Sequence, residues 1–95
     1  MFARMTTSQT DPAKLDAMIK AIGAASEQLK KISGVVTAYT SWDANGSACT
    51  FAVYESQEAA KAATDQVRAI WASLAGMLTA APVSREYENV LDLMA

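Results

Sequence analysis

The chain has 95 residues, of which 52% are hydrophobic and 19% are charged, and its formal net charge is −2. This length predicts a single domain, residues 1–95, and the composition excludes a disordered or fibrous protein. The basic residues are scattered, which disfavours nucleic-acid binding because a phosphate backbone requires a basic patch. No segment reaches the roughly 20 apolar residues of a membrane-spanning helix, so we expect no membrane partner.

The first part of the chain predicts a strand followed by a long amphipathic helix. Residues 1–9 alternate in side-chain character, which is typical of a strand. Asp11 can cap a helix, and Pro12 suits its first position. Gly34 can adopt the left-handed backbone conformation that ends a helix, and it would end this one after about six turns. The apolar stripe of this helix comprises Leu15, Met18, Ile19, Ile22, Ala25, Leu29 and Ile32.

Two strands joined by a tight turn come next. Residues 35–42 and 47–55 are rich in β-branched and aromatic residues, and Asn45-Gly46 between them is a typical two-residue hairpin turn. This turn predicts the register of the two strands. On one face it pairs Trp42 with Cys49, Thr40 with Phe51 and Ala38 with Val53; on the other it pairs Ser41 with Thr50, Tyr39 with Ala52 and Thr37 with Tyr54.

The last part of the chain predicts a second helix and an edge strand. Ser56 can cap the helix, Pro82 ends it, and residues 83–90 alternate with their charges mostly on one side. The apolar stripe of the helix comprises Ala60, Ala63, Val67, Ile70, Trp71, Leu74, Met77 and Leu78. The element order predicts an α+β protein with a ferredoxin-like β-α-β-β-α-β fold and an antiparallel sheet.

The central hairpin carries no charge on either face between Val35 and Tyr54 outside its turn. Two helices cover only one face of a sheet, so the other face needs a second cover. An identical sheet related by a two-fold axis is the simplest one, and we predict a homodimer through the sheet face. The alternative is a monomer whose bare face is shielded by the C-terminal segment, residues 91–94.

One short segment, residues 54–62, adds a resemblance to this element order, because an aromatic residue is followed closely by Ser-x-Glu-Ala. The chain resembles the dimeric α+β barrel superfamily, in particular its antibiotic biosynthesis monooxygenase-like domains. The resemblance implies a homodimer with sheets packed face to face and a cavity between helices and sheet in each subunit. Members include cofactor-independent monooxygenases of aromatic polyketides and haem-degrading enzymes. Tyr54 resembles the aromatic residue that lines the cavity in active members.

The chain departs from the haem-degrading branch of that superfamily. Those enzymes place a histidine ligand in the second helix and an asparagine in the first strand. Ala63 and Thr64 occupy the helix positions here, Arg4 and Thr6 stand in the first strand, and the chain contains no histidine. Haem would lack its usual protein ligand, and we expect no cofactor.

The residue types that remain define the candidate site. Without histidine and with Cys49 as the only cysteine, the sequence offers neither a typical metal site nor a Ser-His or Cys-His nucleophile. A lone cysteine also excludes a disulfide within the chain and, with no signal peptide, predicts a cytoplasmic protein. The candidate ligand-binding residues are Tyr39, Tyr54, Trp71, Arg4 and Asn89. Together they suit a flat aromatic molecule, with Arg4 or a tyrosine hydroxyl stabilising its phenolate.

Three functions remain open. The first is a cofactor-independent monooxygenase, or a binding protein, for a small aromatic molecule. The second is a non-catalytic homodimeric ligand-binding or interaction module, which a cavity filled by Trp71 and its neighbours would favour. The third is a ligand-sensing domain similar to those of amino-acid-responsive regulators, which share the element order and which a higher oligomer would favour.

Overall fold

Four strands and two helices follow one another in the predicted order β-α-β-β-α-β, in a computed structural model that describes residues 1–95. The ferredoxin-like fold class is thereby confirmed. Neither helix is long and apolar enough to cross a membrane. The elements are β1 (Phe2–Gln9), α1 (Leu15–Lys30) after a 3-10 turn at Pro12–Lys14, β2 (Val35–Trp42), β3 (Ser47–Tyr54), α2 (Gln57–Leu74) before a 3-10 turn at Ala75–Met77, and β4 (Val83–Tyr87).

The strands form one antiparallel sheet in the order β2-β3-β1-β4. Strands β1 and β3 are central, and β2 and β4 are the edges. Both helices pack on one face of the sheet, which we call the covered face. The core there joins Phe2 and Tyr54 of the central strands to Ile32, just beyond α1, and to Ala60 and Ala63 of α2.

Local signals in the sequence fix where the helical segments begin and where the first one ends. The prediction that Pro82 ends the second helix is wrong, because α2 already ends at Leu74 and the chain continues into a 3-10 turn. The Asp11 carboxylate accepts a hydrogen bond from the Ala13 amide at 3.0 Å, and the Ser56 hydroxyl accepts one from the Ala59 amide at 3.1 Å. Gly34 has a φ of +86°. A Cβ at this position would lie 2.6 Å from the Ala59 Cβ, so both its dihedral angle and its close approach to α2 require glycine.

The hairpin turn differs from the two-residue turn predicted from Asn45-Gly46. Asp43 and Ser47 close a three-residue loop, in which the Asp43 amide donates to the Ser47 carbonyl at 3.0 Å. The Asp43 carboxylate accepts from the amides of Asn45 and Ser47, at 2.9 and 3.1 Å. Gly46 has a φ of +86°. This is the pattern of a type I turn followed by a left-handed glycine, and it adds one residue to the loop.

The extra loop residue shifts the hairpin register by one, so the predicted strand pairs are wrong. A one-residue shift changes which residues of β2 and β3 share a face. Phe51 and Val53 therefore lie with Tyr39, and not with Trp42 and Ala38 as predicted. The observed pairs include Trp42 with Ala48, Thr40 with Thr50, Ala38 with Ala52, Tyr39 with Phe51 and Thr37 with Val53.

The face opposite the helices carries large apolar side chains without a cover. Tyr39, Phe51, Val83 and Tyr87 are exposed on it, Tyr39 to 71%, and we call this surface the open face. Ala3 and Val53, on the central strands, are buried. The C-terminal segment does not shield the open face, because its apolar side chains are at least 80% exposed. These are Leu91, Leu93 and Met94.

Candidate functional site

A cavity of about 200 Å³ lies between the covered face of the sheet and the two helices, partly open to solvent. Eleven of its 16 lining residues are hydrophobic, so it is suited to an apolar ligand. Helix α1 contributes Ile22, Ala25, Ser26 and Leu29; α2 contributes Val67, Ile70, Trp71 and Leu74; the sheet contributes Arg4, Thr6, Ala38, Tyr39, Thr40, Thr50, Ala52 and Tyr54.

Small side chains account for the space. Ala38 and Ala52 lie opposite each other on β2 and β3, and Ala25 faces them from α1. A methyl group at each of these positions leaves room that leucine or isoleucine would fill. The apolar stripes of both helices thus face the sheet. The cavity lies where the stripe of α1 and the strands β2 and β3 all carry alanine.

Arg4 and Tyr54 form the polar end of the cavity. The Arg4 side chain is only 11% exposed, and its Nη2 lies 3.5 Å from Oε1 of Glu86 on β4. The Arg4 Cζ lies 5.5 Å from the centre of the Tyr54 ring, within range of a cation–π interaction. Tyr54 is buried. Its hydroxyl makes no hydrogen bond within the chain and is not completely buried.

Two threonines of the hairpin add hydroxyl groups that are not among the predicted ligand-binding residues. Thr40 and Thr50 lie opposite each other in the observed register, with their Oγ1 atoms 3.0 Å apart, and both line the cavity. A hydroxyl can make further hydrogen bonds after this one, so either can also bond a ligand. The sequence does contain a signal for the register that places these two threonines opposite each other, because Asp43 and Gly46 are typical first and fourth residues of a type I turn.

The structure brings together most of the predicted ligand-binding residues. Arg4, Tyr54 and Trp71 line the cavity, and Trp71 is half-buried at its wall without filling it. Tyr39 borders the cavity, but its pairing with Phe51 places its side chain on the open face. Asn89 lies outside the cavity and is exposed, because β4 ends at Tyr87. The expectation that Asn89 lies near the others is therefore corrected.

A smaller pocket of about 20 Å³ adjoins the cavity. It shares Ile22 and Trp71 with the cavity, as well as the paired hydroxyls of Thr40 and Thr50, and it extends toward Trp42. Trp71 thus lines both spaces. An indole ring can stack against a flat ligand.

The sequence matches no protein-family model. It matches no curated protein. Solved structures do match its fold. A protein of unknown function from Nitrosomonas europaea superposes with a TM-score of 0.83 at 15% identity, covering 96% of this chain and 90% of that one. A candidate antibiotic biosynthesis monooxygenase from Caulobacter crescentus CB15 gives a TM-score of 0.81 at 21% identity, covering 95% and 90%.

A further match is a monooxygenase from the gene ActVA-Orf6 of Streptomyces coelicolor, solved in complex with the ligand nanaomycin D. Its TM-score is 0.76 at 19% identity, and the match covers 97% of this chain and 89% of that one. This chain has the fold of the antibiotic biosynthesis monooxygenase-like proteins. The resemblance found in residues 54–62 is confirmed at the level of the fold. What the monooxygenase-like fold does in this chain depends on the side chains of its own cavity.

Haem does not fit this version of the monooxygenase-like fold. Ala63, at one of the two positions expected for a histidine ligand, is buried against the core. Thr64, at the other, donates its hydroxyl to the Ala60 carbonyl at 3.1 Å. Neither residue offers a nitrogen ligand to iron. Elsewhere, no group of three or more His, Cys, Asp or Glu residues is close enough together to hold a metal ion.

Proposed function

We propose that residues 1–95 act as one cytoplasmic domain that binds a small aromatic molecule and oxidises it with molecular oxygen, without a cofactor. The observation that carries the proposal is the open, apolar cavity of about 200 Å³ with Arg4, Tyr54 and Trp71 at its wall. A few polar groups in a mostly apolar cleft are typical of ligand sites. The structural similarity to a monooxygenase solved with nanaomycin D supports oxidation as the reaction class.

The dimensions of the cavity limit the ligand. About 200 Å³ is below the roughly 300 Å³ at which sites for drug-sized ligands begin. Two fused rings fit such a space, and the opening to solvent lets a third ring extend outward. The Trp71 indole offers a stacking surface, while the hydroxyls of Tyr54, Thr40 and Thr50 can bond ring oxygens.

The proposed reaction uses the electrons of the substrate. An anthrone loses a proton to form a phenolate, which can pass an electron to oxygen. Its methylene group then loses two hydrogens and gains one oxygen atom to become the quinone carbonyl. The second oxygen atom leaves as water, so no other reductant is needed. Arg4 stabilises the phenolate, because a guanidinium in an apolar site interacts strongly with a negative oxygen.

An oxygen electrode with anthrone as substrate tests this reaction. We expect oxygen uptake above the uncatalysed rate, with one atom of ¹⁸O₂ found in the quinone by mass spectrometry. In the variant Arg4→Gln we expect slower uptake, and the matched control is Arg68→Gln, which also removes one positive charge but from an exposed position on α2. Binding of aromatic molecules without oxygen uptake would contradict the oxidation and leave a non-catalytic ligand-binding module.

We also propose that two copies pack through the open face. Its exposed side chains are Tyr39, Phe51, Val83 and Tyr87, and apolar patches of this kind mark protein contacts. An isologous contact lets the same patch cover its own copy. Light scattering at micromolar concentration is expected to give twice the chain mass of 10.1 kDa. A mass equal to that of one chain would contradict the dimer, and a larger oligomer would favour a ligand-sensing role.

A further inference from the structure

The cavity contains one charge and nothing inside to balance it. Arg4 is the only charged residue among the 16 that line the cavity, and its side chain is only 11% exposed. An arginine side chain carries a positive charge spread over a planar group of three nitrogens. A charge withdrawn from water is unfavourable unless opposite charge and hydrogen bonds replace the lost hydration.

The contacts of Arg4 within the chain replace that hydration only in part. Glu86 approaches one nitrogen at 3.5 Å, is itself 54% exposed, and does not line the cavity. The Arg4 side chain makes no hydrogen bond within the chain, although a guanidinium has five N–H donors. The guanidinium group lies over the ring of Tyr54, with Cζ 5.5 Å from the centre of the ring. Donors of Arg4 therefore remain free beside the apolar space.

We propose that the cavity selects aromatic molecules that carry an anionic oxygen group, with Arg4 binding the anion and Glu86 competing for Arg4 from outside. The inference rests on the proposed function, in which Arg4 stabilises a phenolate during the reaction, and adds that the anion is selected when the ligand binds and that it can also be a carboxylate. A guanidinium binds a carboxylate through two parallel hydrogen bonds, and a phenolate through one or two. The apolar walls strengthen the attraction because they exclude water from the pair.

Isothermal titration calorimetry with 2-naphthoate and 2-naphthamide measures the charge preference directly. The two probes share ring system and shape, and differ in charge. We expect the wild-type chain to bind 2-naphthoate at least about tenfold more tightly, which corresponds to about 1.4 kcal/mol. A second arm titrates 4-nitrophenol on both sides of its pKa; tighter binding of the ionised form extends the preference to phenolates, and its absence limits the preference to carboxylates.

Three variants assign the preference to named groups. Arg4→Gln is expected to reduce the preference for 2-naphthoate to about twofold or less. Glu86→Gln is expected to raise the affinity for 2-naphthoate about threefold, because Arg4 loses its competing carboxylate. Arg68→Gln, the matched control for net charge, is expected to leave both affinities within about twofold. If Arg4→Gln does not fold, the gain from Glu86→Gln still tests the proposal.

The outcomes separate this inference from the proposed function. Equal binding of 2-naphthoate and 2-naphthamide to the wild-type chain would overturn charge selection while aromatic binding stands. Binding of neither probe would overturn both. A preference for 2-naphthoate that survives Arg4→Gln and does not respond to Glu86→Gln would show that another group selects the anion, and would overturn the role given to Arg4.

Discussion

The two faces of the sheet show how neighbouring residues of one strand come to serve different purposes. Ala52 of β3 lies on the covered face and lines the cavity, whereas Phe51 beside it lies exposed on the open face. The covered face combines small residues and hydroxyls with one cation, and it leaves an internal space. The open face carries large side chains and leaves none. This difference is the reason why we propose a ligand site on one side and a contact between two copies on the other.

The largest effect is expected from a charge on the open face. Phe51→Glu places a carboxylate from each copy in the apolar contact of the proposed dimer, and removing such a charge from water without a partner costs several kcal/mol. We expect dimer dissociation to rise by more than about a hundredfold, with the mass from light scattering falling to the 10.1 kDa of one chain. Ala62→Glu, which adds the same charge on an exposed part of α2, is the control and should keep the wild-type mass.

The next largest effect concerns the cation of the covered face. Arg4→Gln removes the group that stabilises the phenolate, and losing one such donor typically lowers a rate by about 10²-fold. Oxygen uptake with anthrone is expected to fall by that factor. The mass from light scattering should not change, because Arg4 lies on the opposite face from the proposed contact. A wild-type rate in this variant would remove Arg4 from the reaction.

A smaller effect is expected when the cavity itself is filled. Ala52→Leu puts three more carbon atoms into a space of about 200 Å³. We expect affinity for 2-naphthamide, the uncharged probe, to fall about tenfold or more by calorimetry. Because this position borders free space, the unfolding free energy should fall by no more than about 1 kcal/mol, the low end of the 1–3 kcal/mol typical of overpacking. Unchanged affinity would mean that the ligand binds elsewhere.

The smallest effect tests the hydroxyl pair of the covered face. Thr50→Val leaves the Thr40 hydroxyl without its partner at 3.0 Å. The free energy of unfolding is expected to fall by about 1 kcal/mol in urea titration. Replacing both threonines by valine removes both groups and should restore most of the loss, since no polar group is then left unpaired. A double variant as unstable as the sum of the two single variants would argue against a bond between them.

Local sequence determined the elements of this protein and where most of them begin. The carboxylate of Asp11 and the hydroxyl of Ser56 accept hydrogen bonds from amides two or three residues away. Gly34 adopts a left-handed conformation after α1. Such interactions depend on a few neighbouring residues, so the element order and the fold class could be predicted. The hairpin register also depends on nearby residues, but the segment from Asp43 to Gly46 fits two turns: a two-residue turn at Asn45-Gly46 and a three-residue loop that begins after Asp43. The three-residue loop carries the extra hydrogen bonds to Asp43.

Only the tertiary structure decided the site. Arg4 and Tyr54 are 50 positions apart in sequence, and their contact follows from the pairing of β1 with β3. The cavity exists because alanines from α1, β2 and β3 meet at one point, which no single segment specifies. Asn89 lies outside because β4 ends before it. Helix caps and periodicity act over one or two turns of chain, whereas packing volume and charge burial depend on segments brought together from the whole chain.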